Sequence, residues 1–376
     1  MDRSAASLIE HLSSIQDPRM LAKTDHDLVD IIVITVCATI CHCDDSWESI
    51  EEFGQERKTW LKQFLPLKNG IPSHDTFRRI FLLLNPEDLQ KCFMEWTKDL
   101  QTITAGEVVA IDGKTPRGSF DNQLGNRAIH SVSAWATENQ LVLGQIKVDT
   151  KSNEITAIPK LLDLLEVKGC VITIDAMGTQ TEIAAKIIEK KADYLLALKG
   201  NQGDLHQAVE YYFNDALKNN FRGIRHTQYE TVDGDHGRIE TRRYYKVKDI
   251  NWLDKKNDWA GLSGIGMVLS EVEKNGAMTQ EKRYFITSLK GDAEEMGKAS
   301  RKHWGIENTL HWSLDVSLRE DECRRRKGHL PMNSAIIRRM VINLLKKESS
   351  NKRKSINGRR LKACLNENYL LKVLLG

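Results

Sequence analysis

The sequence predicts an α/β protein: a mixed sheet with helices on its faces, preceded by an all-helical region and interrupted by a β-rich insertion. Three observations carry this. Residues 1–100 space their apolar side chains at a helical period. From residue 106, short apolar runs alternate with helical segments. Between about 220 and 290, strand-like runs and glycine-bearing turns replace that alternation.

Within the first hundred residues, stretches 28–40, 47–53, 60–65 and 77–84 fit the 3.6-residue period. Pro72 followed by Ser73, His74 and Asp75 is a start signal for a helix over 76–84. The region holds eleven basic and seventeen acidic residues, so charge alone does not make it a DNA binder. A helix-turn-helix around 71–84 and a plain helical packing module both stay open.

The next pattern starts near Gly106. Run 108–111 is a short apolar strand ending in Asp112, and 128–135 and 141–148 alternate like strands around a turn at 138–140. Stretch 154–165 has helical spacing, and 170–174 is a buried strand ending in Asp175. A helix over 182–189, a strand over 194–198 and a helix over 204–213 follow. Three adjacent strands and then alternating helix and strand describe a mixed sheet. Runs 239–247, 264–272 and 283–289 read as strands of the insertion, and helices resume from about Asp292, the last starting after Pro331. The expected organisation is a helical domain over 1–100, an α/β core over 106–218 and 291–348, a β-rich insertion over 219–290, and a basic tail over 349–376.

Composition bounds the class. Hydrophobic residues make up 40% and charged residues 28% of 376, ordinary for a soluble protein. The longest apolar run, 31–41, is too short to cross a bilayer, and residues 1–20 show no signal peptide. Seven cysteines at irregular spacings argue for a reducing cytoplasm. Cys37, Cys41, His42 and Cys43 lie in an apolar helical run and read as buried thiols rather than a zinc knuckle.

A net charge of +3 hides an asymmetry. Residues 324–362 carry fourteen Lys or Arg and one acid, Glu348. Interleaved with Ala335, Ile336, Met340, Ile342, Leu344 and Leu345, these cations read as a folded basic face for nucleic acid.

The chemistry-bearing residues are acids. Two strands end in an aspartate followed by a small residue, at Asp112-Gly113 and Asp175-Ala176. Ligand sites in open α/β sheets form at carboxyl ends of strands, and two bare carboxylates there repel unless a cation or a proton intervenes. Oxygen ligands suit magnesium or manganese. An Asp at a strand end is also an ordinary turn residue. Further on, His303, Glu307, His311 and Asp315 recur every four residues, one stripe of a helix beside the apolar Ile306, Leu310 and Leu314. His303 and His311 are ~12 Å apart along an α-helix axis, too far to share one zinc ion.

Segments 110–115, 173–178 and 303–308 resemble the three acidic motifs of the DDE-type insertion-sequence transposases, nearest to the H-repeat-associated proteins of Rhs elements. Segments 198–202, 236–242 and 324–328, and the region around Asp17-Pro18-Arg19, resemble that group too. The resemblance implies an RNase H-like core in which Asp112, Asp175 and Glu307 bind two Mg²⁺ or Mn²⁺ ions. It also implies cleavage and strand transfer on double-stranded DNA, at element ends and target, by a homodimer at the nucleoid, with no membrane. A transposase-derived DNA-binding protein, or a nuclease that cuts without joining, is the alternative. Relatives often carry Tyr and Arg before the Glu and Lys after it. Here those positions hold Ser300, His303 and Leu314, and His303 stands in for the Arg as an expected DNA contact. Lys114, Arg117, Lys199, Asn201 and Gln202 flank the carboxylates and are expected at phosphate or in positioning. Arg238 and Arg242 share one face of a strand, and Arg324, Arg326, Lys327, Arg338 and Arg339 lie in the basic segment; all are expected DNA contacts.

Overall fold

A computed structural model describes residues 3–20, 24–101, 104–119, 129–148, 153–235, 237–350 and 353–375. Ala128, the expected start of the second strand, and His236 of the 236–242 motif lie outside the described residues.

The chain opens with helices α1 (Arg3–Ser13), α2 (Leu28–Ile40), α3 (Trp47–Glu56), α4 (Lys58–Leu61), α5 (His74–Leu83) and α6 (Pro86–Leu100). Helix α2 is apolar on every side and is buried over nearly its whole length, so the other helices pack around it. Ser46 and Ser73 cap α3 and α5 by accepting from the backbone N–H of Ser49 and Thr76.

Nine strands then form one sheet: β1 (Val108–Lys114), β2 (Ser131–Ala136), β3 (Leu141–Lys147), β4 (Val171–Ile174), β5 (Asp193–Leu198), β6 (His226–Asp235), β7 (Arg238–Val247), β8 (Gly264–Lys274) and β9 (Ala277–Thr287). Their order is β3-β2-β1-β4-β5-β9-β8-β7-β6. The first three strands are antiparallel, β1, β4 and β5 run parallel, and β9 joins β5 antiparallel. The β-rich segment therefore extends the sheet rather than standing apart from it. Helices α7 (Glu154–Leu164), α8 (Thr181–Glu189) and α9 (Gly203–Lys218) connect the parallel strands and the extension.

Helix α10 (Ala293–His303) crosses the opposite face over a second apolar layer of Val108, Val171, Leu195, Tyr244, Val268 and Phe285. Glycine lets it lie against the strands: a Cβ on Gly297 would stand 2.9 Å from the Tyr244 ring. The chain continues through π-helical turns, Ile306–His311 and Ser313–Ser317, rather than as a plain α-helix. Last come α11 (Leu330–Lys347), α12 (Ile356–Leu365) and α13 (Glu367–Leu375), so the expected tail carries two helices. No helix among the described residues is long and apolar enough to cross a membrane.

Candidate active site

Parallel pairing of β1 with β4 sets Ile111 opposite Ile174, which puts Asp112 and Asp175 side by side, one residue further along each chain. Side chains alternate across a strand, so Asp112 shares the α10 face with Val108, and Asp175 shares it with Val171 and Thr173. The third acid, Glu307, lies just beyond the end of α10. His303, the last residue of that helix, docks it onto β4 through Nδ1 at 3.0 Å from Thr173 Oγ1. Turns of the π-helical kind gather at functional sites.

Asp112, Asp175 and Glu307 line one cavity of about 300 Å³, with His303, Trp304 and Lys199. Each aspartate is braced by backbone. The Gly113 N–H donates to Asp112 Oδ1 at 2.9 Å, and the N–H groups of Met177 and Gly178 donate to Asp175 Oδ1 at 3.1 and 3.2 Å. Burial pushes Asp112 up to about 7, opposed by the Gly113 N–H and reinforced by the charges of Asp175, Glu307 and Glu154. Among the described residues, no three His, Cys, Asp or Glu side chains stand close enough to hold a metal ion between them. Carboxylates that share a cavity without a cation repel one another. The donor set fits a hard divalent cation: oxygen atoms only, and excess negative charge in a partly buried space.

The supporting residues sort differently from expectation. Asn201 Nδ2 and Gln202 Nε2 both donate to Ala176 O, at 2.6 and 2.8 Å, so these amides hold the loop that carries Asp175. Lys199 is exposed at the rim. Lys114 is buried and its Nζ donates to Asp315 Oδ2 at 2.7 Å, which commits that cation to the protein. His311 faces Asp112, with Nδ1 3.7 Å from Asp112 Oδ2. Burial, then the charges of Lys114 and Arg339, push its pKa down to about 3, so the ring is neutral near pH 7. Its Nε2 is buried without a hydrogen-bond partner among the described residues. Burial likewise lowers His303, whose Nδ1 is already engaged by Thr173 Oγ1.

Arg238 and Arg242 do share a face of β7, but both bond Glu240, each at 2.5 Å, and Arg242 also pairs with Asp233. They line a cavity of about 380 Å³ that shares Arg283, Ser300 and Trp304 with the acidic one. Arg117, Arg324, Arg326 and Lys327 line a larger cleft of about 1140 Å³, joined by Arg78 and Arg319. Of these, Arg117 is 89% exposed, and Arg324 and Lys327 are exposed, whereas Arg326 Nε donates to Gly118 O at 3.0 Å.

Arg338 and Arg339 correct the sequence reading. Both are buried in α11, Arg338 paired with Asp44 at 3.2 Å and Arg339 with Glu320 at 2.6 Å, so neither is a free surface cation, although Arg338 lines the larger cleft. Their spacing among apolar residues was a sign of burial as much as of a basic face. Thr173, which bonds His303 from β4, and Glu154, which bonds His130 from the start of α7, carry no signal in spacing or composition.

Residues 104–344 match the family described as the transposase DDE domain, and residues 9–97 match one described as DDE_Tnp_1-associated. The YncI protein of Escherichia coli O157:H7, named as a transposase, is 44% identical over 376 residues, covering 99% of this chain and 95% of its own. The H repeat-associated YhhI protein of Escherichia coli strain K12, also named as a transposase, is 41% identical over 377 residues, covering 98% of each. A solved piggyBac transposase aligns over 99% of this chain and 78% of its own at 14% identity and a TM-score of 0.44, too loose a likeness to place residues by. On the family match and the full-length relatives, the chain belongs to the DDE transposases, of the Rhs-associated H-repeat type.

Proposed function

We propose that the chain is a metal-dependent DNA transposase with an RNase H-like core, cutting element ends and joining them to target DNA. One observation carries this: acids from β1, the end of β4 and the turn after α10, far apart in sequence, line one cavity. Asp112, Asp175 and Glu307 bind two Mg²⁺ or Mn²⁺ ions. Those ions supply the lowered pKa of the attacking hydroxyl and the stabilisation of the leaving oxygen. The protein's own part is positional. Backbone N–H groups fix one oxygen of each aspartate and leave the other free to ligate. His303 fixes the end of α10 against β4 and so sets where Glu307 reaches. Neutral His311 backs Asp112 without cancelling its charge.

In the first step water breaks a phosphodiester at the element end and leaves a 3′-hydroxyl. In the second that hydroxyl attacks a target phosphodiester and releases a target 3′-hydroxyl. Neither step needs a covalent bond to the protein. Lys199 at the rim and Arg117, Arg324 and Lys327 in the larger cleft hold phosphates of double-stranded DNA, with the protein acting as a homodimer.

The test is an assay with the flanking element ends, a target plasmid and Mg²⁺ or Mn²⁺. Joined products are expected from the wild type and none from D112A or D175A, which still bind DNA. Cleavage without joining would favour a nuclease. Binding without cleavage by the wild type would favour a transposase-derived DNA-binding protein.

A further inference from the structure

A fourth carboxylate reaches the same strand from the other face of the sheet. Asp112 faces α10, so Gly113 faces α7. Glu154 is the first residue of α7. Its carboxylate occupies the space a side chain on Gly113 would need: a Cβ there would stand 2.0 Å from Glu154 Oε1. The glycine thus admits a negative charge against the backbone of β1, one residue from Asp112. Strand β4 ends at Ile174, level with Ile111, so its pairing no longer covers the β1 backbone at this point.

The carboxylate is fixed there. Its side chain is 13% exposed, and Oε1 lies 2.7 Å from His130 Nε2. The other ring nitrogen, His130 Nδ1, lies 2.6 Å from Thr115 Oγ1. Thr115 directly follows β1 and His130 directly precedes β2, so the latch joins the root of this hairpin to the start of α7.

We propose that Glu154 is a fourth carboxylate of the divalent-cation site, contributed from the opposite face of the sheet and fixed by His130. The inference rests on Asp112 being a metal ligand. Glu154 is a positioning residue: its charge, held beside Asp112, deepens the attraction for a hydrated divalent cation. An ordinary ion pair anchoring α7 to the hairpin would use the same contacts, but it would not depend on that charge. Glutamine separates the two, because it keeps the shape and can still bond His130 while losing the charge.

The experiment is a Mn²⁺ titration of the full chain without DNA, read as free Mn²⁺ by electron paramagnetic resonance. Wild type, E154Q, E154D and D112N are compared, with thermal unfolding in chelator as the check on folding. D112N is expected to lose the site. E154Q is expected to bind Mn²⁺ about tenfold more weakly, the effect of one charge removed at a few ångströms' remove in a partly screened site. E154D keeps the charge and should stay within about twofold of wild type. Wild-type affinity in E154Q, or equal losses in E154Q and E154D when both are folded, would overturn the proposal while leaving the three-acid site intact. Wild-type affinity in D112N would instead overturn the three-acid site, and this inference with it.

Discussion

Replacing Asp112 by Asn removes a charge at the centre of the acidic cavity and almost no volume. The structure says what that charge costs. Burial, with Asp175, Glu307 and Glu154 nearby, raises Asp112 from 3.8 to about 7. A raised carboxylate holds its proton more tightly in the folded chain than in the unfolded one. The contribution of this group to stability is therefore most favourable below about pH 4, where both states are protonated, and falls as pH rises through the window from about 4 to about 7. Roughly three pKa units at 1.36 kcal/mol each set a ceiling of roughly 4 kcal/mol on the loss by pH 8. The side chain is 19% exposed, so solvent takes a share and roughly 2–4 kcal/mol is the expected range. Asn carries no charge at any of these pH values. In chelator at pH 8, D112N should be more stable than wild type by that amount, and the gap should close towards pH 4. Urea unfolding followed by circular dichroism at both pH values measures it. Added Mg²⁺ or Mn²⁺ should stabilise wild type at pH 8 and leave D112N nearly unmoved. If D112N is no more stable than wild type at pH 8, or if the gap persists at pH 4, the charge crowding inferred for this cavity is wrong.

Three further outcomes are expected. Arg339→Ala leaves Glu320, itself 2% exposed, buried without its partner, and should destabilise the chain by about 3–5 kcal/mol in urea unfolding. Replacing Arg117, Arg324 and Lys327 together by Ala should leave the unfolding midpoint unchanged and lower the slope of log affinity for DNA against log salt by about 3; an unchanged slope would place all three in solvent. Gly297→Ala pushes a methyl group towards the Tyr244 ring, should cost about 1–3 kcal/mol, and should lower cleavage more than DNA binding because α10 carries Glu307 into the site.

The core strands were legible because burial on both faces writes itself as an apolar run. Expected strands at 108–111 and 170–174 lie within one residue of the observed starts, and Asp112 and Asp175 lie side by side, although β1 runs past Asp112 to Lys114. Strand β6 was not legible: His226–Asp235 leaves both its faces largely to solvent, so no alternation marks it. The same reason hides the first half of β9, which begins at Ala277 rather than 283. Nor could a pattern of single strands show that β9 pairs with β5, since that contact joins Leu195 to Thr287 across ninety residues of chain. At the site, the stripe His303, Glu307, His311 and Asp315 was visible in the spacing. Its division of labour was not, because that depends on partners from elsewhere: Thr173 for His303, Asp112 for His311 and Lys114 for Asp315.

The charge asymmetry has a reading that neither half supplies alone. The first hundred residues carry more acids than bases, and 324–362 is strongly basic. In the fold these two regions meet. Arg338 and Arg360 reach Asp44 at 3.2 and 3.8 Å, Arg360 donates to Thr39 O at 2.7 Å, and Arg325 stacks 4.0 Å over Trp47. Three cations of the basic run, Arg325, Arg338 and Arg360, thus grip the helical module. A buried guanidinium facing a carboxylate stabilises less than its short distance suggests, because both groups lose water. Its stronger consequence is directional: removing either partner strands the other, so the pairs fix which helix lies against which. That arrangement places Arg78 and Arg319 beside Arg117, Arg324 and Lys327 in one cleft. Arg338 and Arg360 line the same cleft with their guanidinium groups already engaged by the protein, so exposure, not the count of cations along the sequence, selects the residues proposed for DNA.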